Sequence, residues 1–319
     1  MHGVLLLDKP PGLSSNTALQ QARRLLRAAK AGHTGTLDPL ASGLLPLCFG
    51  AATKFAQVCL DADKAYRATL ALGVTTSTGD AEGEVLERRC VDLDRAHIDA
   101  ACARFVGPIE QVPPMHSALK HAGRPLYAYA RAGLSVARAP RRVVVHRLDI
   151  VEWQDARLVI DVVCSKGTYV RTLAEDLGAA LGCGAHLAAL RRTASGALTL
   201  DSAVTPGALA ALDEAQRDAL LLPPDALVGD WPEVTLPEAE AARFLSGLRR
   251  RIEHPDAAAV RVYGPQPGAF LGSAHIRAGE LIGDPTEGAL LALAMKGGIE
   301  PDRLAEHSPR IAEIPFDSA

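Results

Sequence analysis

Hydrophobic and polar positions in the first third of the chain predict a strand, a helix and a second strand. Residues 3–7 are a continuous apolar run, which is typical of a short buried strand. A Pro-Pro-Gly turn and Ser14 follow, and a serine at that place can cap a helix. Over residues 17–29, apolar side chains recur on one helical face and arginines occupy the other. Residues 66–72 alternate, which predicts a half-buried strand.

The middle of the chain predicts an α+β fold. Residues 93–106 have a helical pattern, and residues 143–151 and 157–164 are typical of the two strands of a hairpin. The turn after that hairpin leads into a helix with an apolar face from Val170 to Leu181. Strands and helices follow one another without strict βαβ alternation. The pattern therefore favours a mixed, mostly antiparallel sheet over a doubly wound parallel one.

The composition of the sequence changes in the C-terminal third. An acidic stretch at 206–230, rich in alanine and proline, predicts a helix and then a linker. A further helix is predicted over 238–248, with basic residues 249–251 at its end, where cations suit the helix dipole. Short strands between Gly/Pro turns are predicted over 234–236, 260–263, 269–276 and 290–295. These strands predict a small β-barrel.

These patterns divide the chain into parts with different roles. Residues 1–229 are expected to form the main domain, and the basic, turn-rich segment 113–142 is expected to be an exposed excursion from it. Residues 230–297 are expected to form the small β domain. The polar, proline-containing residues 298–319 are expected to be a flexible tail.

Composition argues against a membrane span, a metal site and a nucleotide cofactor. No apolar run among the 319 residues approaches the roughly 20 that a spanning helix needs, so a soluble, cytoplasmic protein is expected. The six cysteines are scattered without a Cys-x-x-Cys pair, which predicts no metal site. Neither a Walker A sequence nor Gly-x-Gly-x-x-Gly after a strand is present, which predicts no cofactor.

The charge distribution predicts a nucleic acid partner although the net charge is −3. Residues 1–60 carry six Lys/Arg against two Asp/Glu, and residues 119–147 carry seven Lys/Arg and no acid. The compensating acid lies in residues 201–240, with nine Asp/Glu and one Arg. Two basic surfaces are expected for a protein that binds phosphates on one side. Solvated faces without a ligand are the alternative.

Asp38 is the strongest candidate for chemistry in the first sixty residues. It lies in the glycine-rich loop 32–43, immediately before Pro39. An isolated Asp-Pro is usually only a turn. Here the aspartate follows a basic helix, shares its loop with His33 and is one of two acids in the first sixty residues. This combination indicates a site in which the backbone approaches a ligand closely.

The sequence around Asp38 resembles a known family. The run GHTGTLDPLASGLLPLCFGAAT at 32–53 is similar to the catalytic motif of TruB-type pseudouridine synthases. The other matching blocks are GVLLLDKPP at 3–11, KAYR at 64–67, TSTGDAEG at 76–83, PPMHSALK at 113–120, CSKGTYVRT at 164–172, GAHL at 184–187 and LRR at 190–192. Because all blocks occur in family order, coincidence is negligible.

The resemblance implies a fold and a reaction. The expected fold is the pseudouridine synthase core, and the C-terminal domain resembles a PUA-like RNA-binding barrel. The expected reaction breaks the N1–C1′ bond of uridine 55 in the tRNA T-loop, turns the base and rejoins it through C5. The base must leave its stack to be reached. A monomer that needs neither metal nor cofactor is expected, and segment 113–142 is expected to grip the RNA.

The resemblance also implies roles for individual residues. Asp38 matches the essential aspartate, which could add to the base, attack C1′ or remove a C2′ proton. Arg171 matches the basic residue beside it, and Tyr66 the tyrosine that stacks on the flipped base and is a candidate for moving the C5 proton. Without the resemblance, Tyr66 would be interpreted as a core aromatic residue. The implied substrate-binding residues are His33, Leu190, Asp80, Lys9, Arg141, Arg142, Arg191 and Arg192.

Within that set, His33 matches the residue that fills the gap left by the flipped base, and Leu190 matches the apolar wall of the base pocket or is plain core. Asp80 is expected to hold Arg171 or the RNA backbone, or to cap a turn. The five basic residues are candidate phosphate contacts.

Two alternative functions stay open at this point. One is a synthase that acts on another RNA, and the other is an RNA-binding or RNA-folding protein without catalysis.

Overall fold

The computed structural model describes residues 1–283. The chain divides into two compact units, Met1–Leu227 and Val228–Ala319. Each unit has its own hydrophobic core, and each is described by itself below.

The first unit contains a large sheet, two small hairpins and short helices. Its strands are β1 Gly3–Lys9, β2 Ala31–His33, β3 Ser42–Phe49, β4 Lys64–Leu72, β5 Val74–Thr76, β6 Val85–Arg88, β7 Gly107–Gln111, β8 Lys120–His121, β9 Arg124–Pro125, β10 Arg141–Gln154, β11 Arg157–Cys164, β12 Ala185–Ser195 and β13 Leu198–Thr199. Its helices are α1 Ser15–Leu25, α2 Ala56–Asp61, α3 Arg95–Ala103, α4 Leu126–Arg131, α5 Val170–Ala180, α6 Pro206–Ala211 and α7 Glu214–Ala219. Three 3₁₀ turns span Gly50–Phe55, Leu200–Ser202 and Pro224–Val228.

The large sheet is mixed and mostly antiparallel, as the sequence predicts. Its nine strands run in the order β1-β3-β12-β4-β11-β10-β7, with β2 paired to β3 and β13 paired to β12. Among the described strands of this sheet, β3 and β12 form the parallel pair and the other pairs are antiparallel. The expected α+β class is therefore confirmed.

Two of the apolar clusters that pack against the sheet meet at its middle. One packs β4 and β11 against α3 and α5, and the other packs β1 and β3 against α1. Tyr66 on β4 and Leu190 on β12 are partly buried and contact both clusters. These two side chains therefore lie where the two cores meet, at the middle of the sheet.

The helix α1 begins as predicted and ends earlier than predicted. Ser14 Oγ accepts a hydrogen bond from the backbone of Thr17 at 3.0 Å, which caps the helix. The helix stops at Leu25 because Arg27 adopts a left-handed backbone conformation, with φ of 48°. The Arg23 guanidinium then donates to the carbonyls of the two alanines that follow, at 3.0 and 2.9 Å. The prediction of a helix to residue 29 was therefore wrong.

Segment 113–142 leaves the sheet between β7 and β10. It holds the hairpin β8–β9 and the helix α4, and most of its side chains are exposed or half-buried. It has no regular structure between Arg131 and the start of β10 at Arg141. This agrees with the predicted turn-rich excursion. In the acidic stretch, the single predicted helix is replaced by the two short helices α6 and α7.

The second unit is a five-stranded sheet with one helix. Its elements are β14 Glu233–Thr235, α8 Glu238–Leu245, β15 Arg250–Arg251, β16 Ala257–Tyr263, β17 Phe270–Arg277 and β18 Glu280–Gly283. The strand order β14-β16-β17-β18-β15 has two ends, so the described strands do not close into the predicted barrel. The predicted helix end at residues 249–251 was wrong, because α8 stops at Leu245 and β15 follows. The predicted strand 290–295 and tail 298–319 lie outside the described residues.

Candidate active site

The loop that carries Asp38 connects β2 to β3 and is anchored on both sides of the aspartate. The Ser15 hydroxyl donates to the Leu37 carbonyl at 2.9 Å and accepts from the Leu37 amide at 2.7 Å. On the other side, the Ala41 amide donates to the Asp38 carbonyl at 3.0 Å. Leu37 is buried, whereas half of the Asp38 side chain is exposed (50%). The loop therefore presents the carboxylate to solvent from a fixed backbone.

Arg171 on α5 joins Asp38 to Asp80. Its Nη2 donates to Asp38 Oδ2 at 2.7 Å, and its Nη1 lies 3.2 Å from Asp80 Oδ2. The same guanidinium donates to the carbonyls of His116 at 3.0 Å and Thr78 at 3.3 Å. Arg171 is only 7% exposed, and a guanidinium so buried must be paired and hydrogen-bonded to be tolerated. The buried guanidinium thus bridges two carboxylates, of which Asp38 is the more exposed.

Asp80 lies in the turn between β5 and β6 and makes two of the contacts expected for it. Besides facing Arg171, its Oδ1 accepts from the Thr78 hydroxyl at 2.5 Å and from the Glu82 amide at 3.1 Å. The amide contact two residues on is an Asx turn. Contacts within its own turn therefore hold the Asp80 carboxylate in place for its contact with Arg171.

Tyr66 and Leu190 supply a half-buried apolar surface in the middle of the sheet. They are on adjacent strands, since Leu190 is opposite Ala68 and Arg192 is opposite Tyr66. Burial raises the pKa of the Tyr66 phenol, whereas the charge and hydrogen bond of Arg192 oppose the rise. The phenol therefore keeps its proton at neutral pH and can act as a donor.

Arg192 is buried, whereas the sequence suggested an exposed residue. The sequence suggested a phosphate contact, but the residue is 1% exposed. Its Nε donates to the Leu44 carbonyl at 2.6 Å, and its Nη2 donates to the Gly35 carbonyl at 3.1 Å. Because the guanidinium is buried and already donates to protein carbonyls, the phosphate role does not fit. Arg192 instead ties both ends of the Asp38 loop to β12.

Gly43 shows how closely β12 approaches this loop. A Cβ atom at Gly43 would lie 2.2 Å from the carbonyl oxygen of Arg192, and its φ of +100° is in the left-handed region. Only glycine fits the parallel contact between β3 and β12 at this point.

Lys9 is also buried rather than exposed. Its side chain is inside the fold, at 0% exposure, and Nζ donates to the carbonyls of Pro10 at 2.9 Å, Leu13 at 2.7 Å and Pro39 at 3.5 Å. Burial lowers the pKa of Lys9 to about 8, and the Asp38 charge partly opposes this effect. The expected phosphate contact does not fit this geometry either. Lys9 holds the loop residue that follows Asp38.

The remaining binding candidates are nearer the surface. His33 ends β2, and burial followed by the Arg192 charge lowers the pKa of its imidazole, which is thus neutral at pH 7. Arg191 forms a bidentate pair with Asp8 at 3.0 and 2.8 Å and stays 43% exposed. Arg141 and Arg142 are exposed at the start of β10. These three arginines can still reach a phosphate.

Tyr169 is a site residue that sequence reasoning missed. It immediately precedes α5, two residues before Arg171. Burial raises the pKa of its phenol, and the charges of Asp38 and Arg171 are close enough to act on it. Its position in the CSKGTYVRT block was the available signal.

Among residues 1–283, no three His, Cys, Asp or Glu side chains lie together as metal ligands would. No helix in that part has both the length and the apolar character needed to cross a bilayer.

Three family models match consecutive parts of the chain. The TruB family pseudouridylate synthase N-terminal domain matches residues 23–170, and the tRNA pseudouridylate synthase B C-terminal domain matches residues 171–229. The C-terminal domain of pseudouridine synthase II TruB matches residues 232–283.

Full-length relatives and solved structures agree with these matches. Proteins named tRNA pseudouridine synthase B from Thiobacillus denitrificans and Verminephrobacter eiseniae are 61% and 58% identical, covering 88% and 91% of this chain and 94% and 90% of their own lengths. The fold is similar to a chain of a Cbf5-Nop10-Gar1 complex, with a TM-score of 0.67, 26% identity, and coverage of 90% and 80% of the two chains. An H/ACA RNP bound to a substrate RNA containing 2′-deoxyuridine gives a TM-score of 0.64 and 25% identity, over 86% and 77%. Since the identities extend over nearly the whole chain and the fold agrees with them, the chain belongs to the TruB family of pseudouridine synthases.

Proposed function

We propose that this chain is a tRNA pseudouridine synthase that isomerises uridine 55 in the T-loop. The observation that supports this best is the group in which buried Arg171 meets Asp38 at 2.7 Å and Asp80 at 3.2 Å. The half-exposed carboxylate is the part of this group that a substrate can reach. The name shared by the 58–61% identical relatives supports tRNA as the substrate.

The target base has to leave its stack before any of these groups can act on it. Tyr66 and Leu190 would then receive the flipped uracil, because they offer ring and aliphatic surface that is not fully covered by the cores. Neutral His33 would occupy the space that the base vacates in the RNA, where an imidazole can stack.

The chemistry needs an anion near the ribose and a way to hold the detached base. Asp38 is that anion, and it adds to the base, attacks C1′ or removes the C2′ proton. Arg171 keeps it oriented, since a buried guanidinium in contact with two carboxylates has little freedom to move. Tyr66, still protonated, is placed to donate to the base or to assist transfer of the C5 proton. No atom is gained or lost overall.

Segment 113–142 would grip the RNA. Two of its arginines lie over tyrosine rings, with Arg124 5.4 Å from the centroid of the half-buried Tyr129 and Arg131 5.4 Å from that of the exposed Tyr127. Stacked rings and guanidinium groups on one exposed surface are suited to unpaired bases and phosphates. Exposed Arg141 and Arg142 extend the same surface along the chain.

The two domains would have different roles in this function. Residues 1–229 would carry catalysis and residues 230–297 would bind RNA as a PUA-like domain. The enzyme would act as a monomer in the cytoplasm, where tRNA is found.

The experiment that tests the function is tritium release from tRNA labelled at C5 of uridine. Wild-type protein should release tritium from position 55, and Asp38→Asn should lower the single-turnover rate at least about 100-fold, the lower range for loss of an acid–base group. Asp38→Asn should still bind tRNA, because its phosphate contacts are intact. If Asp38→Asn were as active as wild type, the catalytic assignment would be wrong.

The same assay separates the two alternatives. Release from ribosomal RNA fragments, with none from tRNA, would indicate another substrate. Tight tRNA binding without any release by the wild type would indicate an RNA-folding protein.

A further inference from the structure

The buried side chain of Gln111 makes a double contact to a single distant residue. Gln111 ends β7 and is 2% exposed. Its Oε1 accepts from the Tyr169 amide at 3.0 Å, and its Nε2 donates to the Tyr169 carbonyl at 3.2 Å. The amide side chain thus pairs with one residue's backbone in the way that a neighbouring strand would. Loss of the Gln111 amide would leave the partly buried Tyr169 N–H without its acceptor.

Tyr169, which Gln111 contacts, is the residue immediately before α5. Tyr169 precedes the first helical residue, and its side chain makes no capping hydrogen bond. Its carbonyl also accepts the first helical hydrogen bond, from the Leu173 amide at 3.0 Å. Gln111 therefore supplies from another strand an anchor that the helix does not provide itself.

Arg171 lies two residues after this anchor, where its direction depends on the first turn of α5. Its guanidinium must meet Asp38, Asp80 and two backbone carbonyls at once. A shift of the first turn by about 1 Å would break some of these contacts, and misplacement of that size can cost about 100-fold in rate.

The segment that follows Gln111 in the chain also contacts the Arg171 guanidinium. Segment 113–142 begins two residues later, and the carbonyl of His116 in that segment accepts from Arg171 Nη2 at 3.0 Å. The base of the segment thus contacts Arg171 directly and, through Gln111, also holds the start of its helix.

We propose that Gln111 is a positioning residue for the isomerisation, an inference that rests on the proposed function. It holds the Tyr169 peptide so that Arg171 faces both carboxylates and Tyr169 faces the site. Through it, the position of segment 113–142 is linked mechanically to the active-site ion pairs.

The test uses the full chain and T-loop-containing tRNA. Gln111→Leu removes both hydrogen bonds with little change in size, and it should lower kcat by about 10- to 100-fold while KM and the Kd for tRNA change less than about 3-fold. Hydrogen exchange at the amides of residues 169–173 should become faster. A wild-type kcat in Gln111→Leu, measured beside an active wild-type enzyme, would overturn this inference alone. An inactive wild type would overturn the proposed function and this inference with it.

A second variant keeps the proposal testable if Gln111→Leu folds poorly. In Gln111→Glu, the protonated carboxyl can donate to the Tyr169 carbonyl, whereas the carboxylate cannot. The kcat of Gln111→Glu relative to wild type should therefore rise as pH falls, because burial favours the neutral acid. A ratio that does not change with pH would contradict the positioning role.

Ile109→Val is the matched control on the same strand. Ile109 packs against the core, and its aliphatic side chain cannot hydrogen-bond the Tyr169 peptide. It should lower the melting temperature without changing kcat by more than about 2-fold. An equal loss of kcat in this control would mean that Gln111→Leu acts through general destabilisation.

Discussion

The two buried arginines of the active site have opposite surroundings. Arg171 faces two carboxylates, one of which is half exposed to solvent. Arg192 is buried more deeply, and no carboxylate of residues 1–283 lies within ion-pair distance of it. Its partners are the carbonyls of Gly35 and Leu44. One guanidinium therefore orients a half-exposed carboxylate, whereas the other joins the elements that carry the candidate site.

This difference shows that burial of a cation does not by itself identify its role. A buried charge needs partners in either case, because desolvation is costly. What separates the two sites is whether a partner also reaches solvent, where a substrate can approach. In the Arg171 group that partner is Asp38, half of whose side chain is exposed. We therefore expect loss of Arg171 to affect mainly the rate and loss of Arg192 to affect mainly the stability.

The largest effect is expected at Arg171. Arg171→Lys keeps the charge but cannot reach both carboxylates and both carbonyls, so kcat should fall by about 10²–10⁴-fold. Tritium release at saturating tRNA measures this, and the Kd for tRNA should stay within about 3-fold. Arg67→Lys, which alters an exposed pair with Asp161, is the matched control and should have less than a 2-fold effect, roughly the range for surface pairs. A mild Arg171→Lys phenotype would remove the contrast between the two arginines.

The next effect concerns Arg192. Arg192→Met leaves the carbonyls of Gly35 and Leu44 buried without donors, and the free energy of unfolding should fall by about 2–5 kcal/mol. Chemical denaturation measures this loss, and Arg67→Met on the neighbouring strand should lose no more than about 1 kcal/mol. Unchanged stability together with a collapsed kcat would indicate that Arg192 belongs to the chemistry instead.

A smaller effect is expected from the pH dependence of Lys9. The pKa of Lys9 is about 8 in the folded protein and 10.5 ordinarily, so the unfolded chain binds more protons between these values. The free energy of unfolding should therefore rise with pH across that window, by about 3 kcal/mol at most from this group. Below pH 8 the lysine is charged in both states and its contribution is constant.

Denaturation of wild type and Lys9→Met at pH 7.5, 9 and 10.5 isolates this contribution, because other groups cancel in the difference. The rise should be absent from the variant. Parallel curves for the two proteins would mean that Lys9 keeps its ordinary pKa, and therefore that its ammonium is solvated rather than buried.

The smallest effect is expected at the surface. Arg141→Gln combined with Arg142→Gln should weaken tRNA binding by several-fold without changing kcat. Each phosphate that the variant no longer neutralises should reduce the slope of log K against log salt by about 0.7–0.9. Arg95→Gln on α3, exposed and paired with Asp99, is the control and should leave the slope unchanged. An unaltered slope in the double variant would place the RNA on another surface.

The regular elements show where prediction from sequence succeeds. Strand β1, the hairpin β10–β11 and helix α5 were predicted because each has a local pattern, a continuous apolar run, an alternation or a helical repeat. The central strands β3 and β12 were not predicted. Strand β3 contains a proline and follows a glycine-rich loop, and β12 has bulges near Leu187 and Arg192 that interrupt its alternation. Their parallel pairing is decided by contacts between residues nearly 150 positions apart.

In the candidate active site, too, some features were predictable from the sequence and others were not. The sequence alone determined that Asp38, Tyr66 and Arg171 are the residues to examine, because motif blocks preserve residue types in order. Only the tertiary structure decided that Lys9 and Arg192 are buried and that Gln111 holds Tyr169. Basic residues in a sequence look alike whether they face phosphates or carbonyls. Their role depends on which acceptors the fold brings within hydrogen-bond distance, and some of these acceptors come from distant parts of the chain, such as Pro39 for Lys9 and Gly35 and Leu44 for Arg192.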